Sequence, residues 1–249
     1  MLGDNSPFAI RNSQYAIFVL ARKELSTMLN TPATYVIGVI FLLINGWLFV
    51  SPFFEVNQSS LDTFLRPLPL IFTFVIPALS MRAFSEEFKT GTIEYLATLP
   101  LEDHHIVLGK FLAVLGMIGV LVAFTLAFPV VLFIIGHPDP GQVVGAYLSI
   151  LGLASFFAAI GIWASAFTRN QVVAFIIGFF VCFIFFLLGR VADFLPGMLA
   201  SFVRTLSIET HFDALARGVL DSRDLLYWAS GTAFFLAACL AVVQSKKWR

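Results

Sequence analysis

The residues best suited to chemistry in this sequence stand together as Glu102, Asp103, His104 and His105. Imidazole and carboxylate groups can bind Zn²⁺ or transfer protons, so this run is a candidate metal or acid–base site. Adjacent residues of a helix project about 100° apart, and the two histidines therefore need ligands from another segment to close a metal site. The remaining histidines have no local partners that complete a site. We expect solvated histidines here, no metal site and no catalytic residue.

Motifs that would make the chain an enzyme are missing. The sequence has no HExxH zinc motif and no GxSxG nucleophile motif. The run Leu108–Lys110 reads Leu-Gly-Lys, but a phenylalanine follows the lysine and no glycine precedes it at the spacing of a phosphate-binding loop. We therefore expect no enzymatic activity and no directly bound cofactor, and the energy for any work would come from a partner.

The composition indicates that lipid is the main solvent of this chain. Apolar residues make up 59% of the 249 residues and charged residues only 12%, with 29 phenylalanines. Soluble domains carry about 25% charged residues, so this chain cannot cover a water-facing surface in the usual way. Its net charge of zero argues against a nucleic-acid partner, which needs a clustered basic face. Cys182 and Cys239 lie in apolar runs and are expected in the core or against lipid.

Long apolar runs predict the fold. A helix that crosses a bilayer needs about 20 mostly apolar residues. Segments of this kind predict an all-α polytopic membrane protein with six transmembrane helices and a single transmembrane domain over residues 1–249. The predicted spans are Tyr35–Phe54, Pro67–Met81, Ile106–Ile135, Val143–Phe167, Val172–Leu188 and Leu225–Val243.

The interiors of these predicted spans contain almost no ionisable residues. Lys110, near the start of the third span, is the exception. Charged residues inside a membrane are costly and mark ion or proton pathways. The sequence therefore disfavours a proton-coupled carrier, a cation channel and a voltage sensor.

The orientation in the membrane follows from the distribution of lysine and arginine. With both termini in the cytoplasm, the cytoplasmic segments carry more of these residues than the outer segments, so we predict this orientation. Residues 189–224, which we name the outer connection, oppose it because they include Arg190, Arg204, Arg217 and Arg223. The predicted orientation places residues 82–105 in the cytoplasm.

Two segments outside the spans have amphipathic patterns. Residues 1–33 contain an apolar helical face, which predicts a helix at the cytoplasmic membrane surface. In the outer connection, apolar residues at helical spacing predict short helices at the outer leaflet, broken at Pro196-Gly197. The alternative for that segment is a soluble amphipathic loop packed on the ends of the spans. The apolar face in the N-terminal segment comprises Ile17, Phe18, Ala21, Leu25, Met28 and Leu29.

Residues 82–105, which we name the acidic hairpin, contain the longest polar stretch of the chain. Ser85 followed by two glutamates predicts the start of a short helix, and Gly91 predicts its end. Thr92 can begin a second short helix that Pro100 ends. The pattern predicts two cytoplasmic helices between the second and third spans. A simple connector that shields the ends of those spans is the alternative.

The hairpin and its surroundings resemble a known family. The stretch Met81–Ala113 is similar to the signature region of ABC-2-type transporter permeases, where an E-x-x-x-G-T-x-E core is followed by Leu, Thr and Pro. The run RKELSTMLNTPATYV, the region around the fourth span and the six-span layout are also similar, and together resemble the gliding-motility-type subgroup. The similarity weakens after Leu188. The residues that match the core are Glu87, Gly91, Thr92, Glu94, Leu96, Thr98 and Pro100.

The resemblance implies that the acidic hairpin docks on a separate ABC nucleotide-binding subunit, which would bind ATP and Mg²⁺. It also implies a multi-pass protein of the bacterial cytoplasmic (inner) membrane that pairs with a second permease copy or a paralogous permease. A membrane protein with a large extracytoplasmic domain is a further candidate partner. The implied ATPase-docking residues are Glu86, Glu87, Lys89, Thr90, Gly91, Thr92, Glu94, Leu96, Thr98 and Pro100.

Prolines and small residues in the spans suggest points of movement and contact. Three prolines in the second and third spans are candidate hinges, although proline also occurs in spans for static reasons. In relatives, the first and fifth spans form the dimer contact, where small residues would permit close approach. The candidate hinges are Pro69, Pro77 and Pro129, and the small residues are Gly38, Ala174 and Gly178.

The leading functional hypothesis is the membrane subunit of an ABC-2 complex that couples ATP hydrolysis by its partner to export or to mechanical transmission. The alternative is a non-transporting scaffold or assembly factor that docks a cytoplasmic protein. A membrane-embedded enzyme remains only if His104 and His105 gain ligands from other segments. The charge-poor spans suit an amphipathic or lipid-linked cargo, but the sequence identifies no substrate.

Overall fold

The computed structural model describes residues 7–55, 62–92, 102–135, 139–218 and 221–247. Within these ranges every regular element is an α-helix, as predicted. The helices are α1 (Pro7–Leu29), α2 (Pro32–Glu55), α3 (Asp62–Leu65), α4 (Leu68–Ser80), α5 (Arg82–Thr90), α6 (Asp103–Thr125), α7 (Ala127–Ile135), α8 (Pro140–Phe167), α9 (Gln171–Ala192), α10 (Gly197–Leu206), α11 (Ile208–Ala216) and α12 (Ser222–Lys247).

Six helical segments are long and apolar enough to cross a membrane, which confirms the six predicted spans. The largest difference from the prediction is at the end of span 2, which continues into the acidic hairpin. We name the two ends of the bundle the hairpin end and the connection end. The observed spans 1 to 6 are Pro32–Ser51, Leu68–Thr90, Asp103–Ile135, Pro140–Phe167, Gln171–Ala192 and Ser222–Lys246.

Span 2 runs almost without interruption into the hairpin. Helices α4 and α5 are separated only by Met81, which keeps right-handed helical angles (φ −55°, ψ −27°) and donates its N–H to the Pro77 carbonyl at 2.9 Å. The prediction that Ser85 begins a helix was therefore wrong. Ser85 lies inside α5, fully buried, and its hydroxyl donates to the Met81 carbonyl. A serine within a helix satisfies its hydroxyl in this way and caps nothing.

Span 3 contains a break with an identifiable cause. Helix α6 ends at Thr125 and α7 begins at Ala127. Pro129 has no N–H to donate to the carbonyl of Thr125, four residues earlier. The Tyr147 hydroxyl of span 4 donates to that carbonyl instead, at 2.8 Å. A side chain from the neighbouring span thus replaces the hydrogen bond that the proline removes.

Span 4 occupies the centre of the bundle and packs against spans 2, 3, 5 and 6. In the most apolar 18-residue stretch of spans 2 and 4, 61% is buried inside the chain. The corresponding fraction in span 5 is 22%. Glycines make the contacts close. A Cβ at Gly161 would lie 1.9 Å from Ser80 Oγ of span 2, and one at Gly231 of span 6 would lie 2.3 Å from the Phe156 ring. Small residues of this kind let the helix backbones approach one another.

Helix α1 packs along the first turns of span 3. Leu20 is buried, and its Cδ2 lies 2.8 Å from the place that a Cβ of Gly109 would occupy. Leu25 packs against the core as the predicted apolar face requires. Phe18, which belongs to the same predicted face, is 65% exposed and does not pack into the bundle. The buried stripe is narrow because α1 contacts a single neighbouring helix along most of its length.

The outer connection is helical, as predicted, and α10 begins at Gly197, where the sequence predicts the break. The two helices differ in burial. Helix α10 has no buried side chain, whereas α11 packs on span 4, where the Ser149 hydroxyl donates to the Phe212 carbonyl at 2.9 Å. The connection is therefore part of the bundle at α11 and exposed at α10. The buried residues of α11 are Ile208, Phe212, Leu215 and Ala216.

The small residues expected at a dimer contact pack against other spans of the same chain. A Cβ at Gly38 would lie 3.0 Å from the Leu121 side chain of span 3, and one at Gly178 would lie 3.3 Å from Pro77 of span 2. Ala174 is also buried, with 1% exposed. The expectation that these residues form a dimer contact was wrong, because their side of each span already faces a neighbouring span.

Gly145, near the start of span 4, provides a test of how α11 packs. A Cβ at this position would lie 2.3 Å from the backbone carbonyl oxygen of Leu215 and 2.9 Å from Cα of Gly218. Both atoms belong to the backbone and cannot rotate away. Gly145→Ala should therefore destabilise the protein by about 1–3 kcal/mol, the usual cost of overpacking. Thermal unfolding of the purified protein in detergent should show a lower midpoint.

Gly119→Ala is the matched control, since a Cβ on this helical glycine of span 3 would meet no atom within 4 Å. It should leave the midpoint unchanged or raise it, because alanine is the better helix former. Equal midpoints for the two variants would contradict the close packing of α11 on span 4.

Candidate functional site

Helix α5 forms the first arm of the acidic hairpin and ends where the sequence predicts. Gly91 follows the last helical residue, Thr90, with φ +74°, a left-handed conformation that favours glycine. Gly91 and Thr92 are exposed, and a Cβ at Gly91 would meet no atom within 4 Å. The Thr90 and Thr92 hydroxyl oxygens lie 2.9 Å apart. The arm therefore ends in an exposed, locally hydrogen-bonded turn.

The opposite side of α5 carries a buried cluster of three charged residues, which we name the ion triad: Glu24 of α1, Glu87 of α5 and Lys110 of span 3. Lys110 Nζ lies 2.6 Å from Glu87 Oε1 and 3.5 Å from Glu24 Oε2. Only 2% of the lysine side chain is exposed, compared with 17% for Glu87 and 19% for Glu24. The Phe84 ring centroid lies 5.2 Å from the ammonium. Three separate elements thus meet at one buried cation.

Burial makes the triad sensitive to displacement of any member. Moving a charge from water into a protein interior costs several kcal/mol, and a partner offsets this only with good geometry. The short distance from Lys110 to Glu87 is typical of a charge-assisted hydrogen bond. A shift of α5 away from span 3 would leave the lysine with only the more distant carboxylate of Glu24. Helices α1 and α5 and span 3 are therefore expected to move together.

A second contact joins α5 to the end of span 6. Lys246 Nζ lies 4.3 Å from the centroid of the Phe88 ring, and the Phe84 and Phe88 rings stack with centroids 6.3 Å apart. A cation over an aromatic ring contributes about 0.5–1 kcal/mol at exposed sites. The contact also shows that span 6 ends at the hairpin end of the bundle. This is expected, because consecutive spans cross the bundle in alternating directions.

The residues implied to dock an ATPase fall into three groups. One group is exposed on α5 or in the turn after it, and comprises Glu86, Lys89, Thr90, Gly91 and Thr92. Glu87 forms the second group, because it is largely buried and holds Lys110. The third group lies outside the described residues, so that its docking role stays a prediction, and comprises Glu94, Leu96, Thr98 and Pro100.

The three prolines proposed as hinges differ in their effect on the helices. Pro69 lies in the first turn of α4, where a proline removes no helical hydrogen bond. Pro77 lies inside α4, and Pro129 follows the break in span 3. Pro77 and Pro129 therefore interrupt hydrogen bonding within a span, whereas Pro69 does not. The hinge role itself stays a prediction for all three.

The histidine pair takes part in the start of span 3. His104 Nδ1 lies 3.2 Å from Glu102 Oε2, and the Glu102 N–H donates to His105 Nδ1 at 3.3 Å. The two imidazole rings are 4.0 Å apart. Within the ranges that the structure describes, no three potential metal ligands are grouped together. These contacts fix the backbone immediately before span 3.

Sequence reasoning missed Glu24. Lys110 was visible as the one charged residue inside a predicted span, and such a residue needs an acidic partner. A weak signal for that partner exists, since Leu20, Glu24 and Met28 recur every four residues and so share one helical face with apolar neighbours. Several other acids lie at the same end of the spans. The pairing itself therefore required the structure.

A second polar cluster lies at the connection end. His211 Nδ1 is 2.6 Å from Asp224 Oδ1, and its Nε2 is 3.0 Å from the Thr205 carbonyl. The Tyr227 ring stacks on His211 with centroids 4.0 Å apart. Nearby, burial raises the pKa of the Glu209 carboxyl. These contacts fasten the two helices of the outer connection to span 6.

Comparison with protein families identifies a matching family. The family model described as ABC-2 family transporter protein matches residues 18–245 of the chain. The matched range begins within α1, ends in the last turn of span 6, and contains the acidic hairpin and all three residues of the ion triad. Comparison with curated proteins gives no match.

Lys110→Met tests the ion triad. The substitution keeps a long unbranched side chain but leaves Glu24 and Glu87 without their cation. Removing one partner of a buried ion pair costs about 3–5 kcal/mol, so the midpoint of thermal unfolding in detergent should fall. Combining Lys110→Met with Glu24→Gln and Glu87→Gln should recover most of the loss, because no buried charge then remains in the triad.

Lys89→Met is the control, because Lys89 is an exposed lysine of α5. A surface change of this kind should alter stability by less than about 0.5 kcal/mol. If Lys89→Met and Lys110→Met unfold at the same temperature, the ion triad does not hold these helices together.

Proposed function

This chain belongs to the ABC-2 transporter family, and we propose from that premise that a separate ABC ATPase subunit docks on its acidic hairpin. The family consists of membrane subunits that are generally non-catalytic and that normally partner with an ABC ATPase subunit. The chain is thus a multi-pass transmembrane subunit of an ABC transporter. In our proposal, ATP hydrolysis by the partner drives export or mechanical transmission through this subunit.

The two-sided character of α5 carries the proposal. One side exposes Glu86 and Lys89 and ends in the exposed turn at Gly91. The other side buries Phe84 and holds Lys110 through Glu87. A helix with one free polar side and one side anchored in the bundle is suited to receive a partner and to pass its movement to the spans.

The anchoring contacts define the routes by which movement of α5 would spread. Span 2 is reached through the nearly continuous backbone at Met81, span 3 through Lys110, and α1 through Glu24. Span 6 is reached through Lys246 on the Phe88 ring. Helix α5 also packs on spans 4 and 5, so a force applied to the hairpin would act on most of the bundle at once.

The finer parts of the proposal rest on the distribution of charge in the sequence and on the family resemblance. We place the chain in the bacterial inner membrane with both termini and the acidic hairpin in the cytoplasm, where the partner would bind ATP and Mg²⁺. We also retain the gliding-motility-type subgroup and a partner with a large extracytoplasmic domain as proposals. The charge-poor spans support an amphipathic or lipid-linked cargo, or transmission of force to an outer protein.

A second permease copy or a paralogue would complete the pathway in this proposal. The small residues of spans 1 and 5 face inward, so a partner permease would contact bulky exposed side chains instead. On span 1, Leu43 is 67% exposed and Trp47 is 74% exposed; on span 5, Phe180 is 56% exposed. These faces are available to lipid or to another permease.

Gly91→Val tests docking on the hairpin. A β-branched residue cannot adopt φ +74° without strain, so the exposed turn would change shape. We expect the tagged chain, purified gently from its native membrane, to lose its co-purifying ATPase subunit and stimulated ATP hydrolysis. About tenfold weaker binding corresponds to only 1.4 kcal/mol of docking energy, so a distorted turn is sufficient for the loss.

Gly197→Val is the matched control at the connection end. Gly197 also has positive φ, +56°, and a Cβ there would meet no atom within 4 Å. The backbone strain is therefore similar, but the ATPase should be retained. Equal ATP hydrolysis in the two variants would contradict docking on the hairpin. A partner without ATPase activity that is lost only in Gly91→Val would favour the scaffold alternative.

A further inference from the structure

A partly enclosed cleft of about 90 Å³ lies beside the ion triad. It forms where two breaks between helices face each other, one at Thr31 between α1 and α2 and one at Met81 between α4 and α5. Thr34 lines the cleft from span 1, Arg82 from α5 and Lys110 from span 3. We name this space the triad cleft. It borders both the membrane-facing span 1 and the helix that begins the acidic hairpin.

One donor in the triad cleft lacks an acceptor among the described residues. Arg82 forms no ion pair with a described residue, and its Nε is buried without a hydrogen-bond partner there. A buried donor without an acceptor is destabilising. Thr34, which is only 6% exposed, lines the same cleft with a hydroxyl that can also donate. A group rich in acceptor oxygens, such as a phosphate, could accept hydrogen bonds from both side chains.

The cleft also contains acids, which restrict the ligand further. Glu24 and Glu86 line it together with Arg82 and Lys110. The lining therefore carries two acidic and two basic side chains. The two acids would repel a simple anion, although the two bases would attract it. A ligand that carries a phosphate and an ammonium a few bonds apart matches this mixture, because the ammonium can donate to the carboxylates.

The position and lining of the cleft favour a lipid head group with a primary amine. Exposed apolar residues of span 1, such as Val36 and Ile40, lie next to the lining residue Ile37 and can support acyl chains. A primary ammonium can donate hydrogen bonds to the carboxylates of the lining, whereas a trimethylammonium cannot.

We propose that the triad cleft binds the phosphoethanolamine head group of a membrane phospholipid. The phosphate lies at Arg82 and Thr34, and the ammonium lies at Glu86 and Glu24. This binding does not require the ATPase, although the head group would contact α5. Phospholipid in the cleft therefore links the composition of the membrane to the helix that begins the hairpin.

The test uses the purified full chain without any ATPase. The chain is placed in nanodiscs with equal amounts of phosphatidylethanolamine, phosphatidylcholine and phosphatidylglycerol, and is then extracted in mild detergent. Lipid retained by the protein is measured by mass spectrometry. We expect phosphatidylethanolamine to be retained over the other two lipids. Equal retention of all three, or preference for phosphatidylglycerol, would overturn the proposal.

Two variants locate the retained lipid. Arg82→Gln and Thr34→Val should each lower retention of phosphatidylethanolamine, roughly tenfold for the loss of one charge-assisted contact at Arg82. Arg22→Gln, which removes an exposed arginine of α1 that does not line the cleft, should retain it. Thr34→Val is nearly isosteric and carries the test if Arg82→Gln does not fold. Unchanged retention in both cleft variants, or equal loss in Arg22→Gln, would overturn the site.

Discussion

The buried ammonium of Lys110 is the constraint on which the hairpin end of this protein depends. A lysine that is almost fully removed from water needs compensating charge, and here the compensation comes from α1 and α5, two elements outside the apolar core of the bundle. Helix α5 has few buried apolar side chains of its own, with Phe84 the main one. Its position is therefore set by the ion pair with Glu87, by the backbone of span 2 and by its packing on spans 4 and 5 rather than by a broad apolar face.

The rest of the bundle is held by a different interaction. In the spans, contact between helices depends on small residues that let large ones fit closely, as Gly231 does for Phe156 and Gly161 for Ser80. Lipid offers an apolar side chain no less favourable an environment than another helix does, so close packing decides which helices associate. Span 4 is the centre of this arrangement. The bundle thus provides a tightly packed frame to which the triad attaches the hairpin.

The features that were predictable from sequence are those that depend on local properties. Hydropathy predicted the six spans, because each span must match the bilayer by itself. The end of α5 at Gly91 was predictable because a left-handed residue favours glycine wherever it occurs. The prediction for Ser85 failed because span 2 continues into the hairpin, and no local signal tells how two adjoining helices join. The expectation of a dimer contact at Gly38 failed because the surroundings of this residue are set by span 3, a neighbouring helix far away in sequence.

The ion triad was only partly predictable from the sequence. Lys110 was conspicuous in the sequence, but one of its two acids comes from α1, before span 1, and the other from α5, at the end of span 2. Only the packed structure selects them from the other acids at that end. An apolar cluster could hold the same helices with equal or greater stability, since replacing a buried ion pair by well-packed apolar residues is often neutral or stabilising. Stability is therefore a poor reason for charges at this place. What an ammonium between two carboxylates provides is a defined position, because sliding α5 by one turn would separate the charges, whereas an apolar contact would tolerate it. If α5 passes the movement of a partner to the spans, as we propose, it needs such a fixed register more than it needs additional stability.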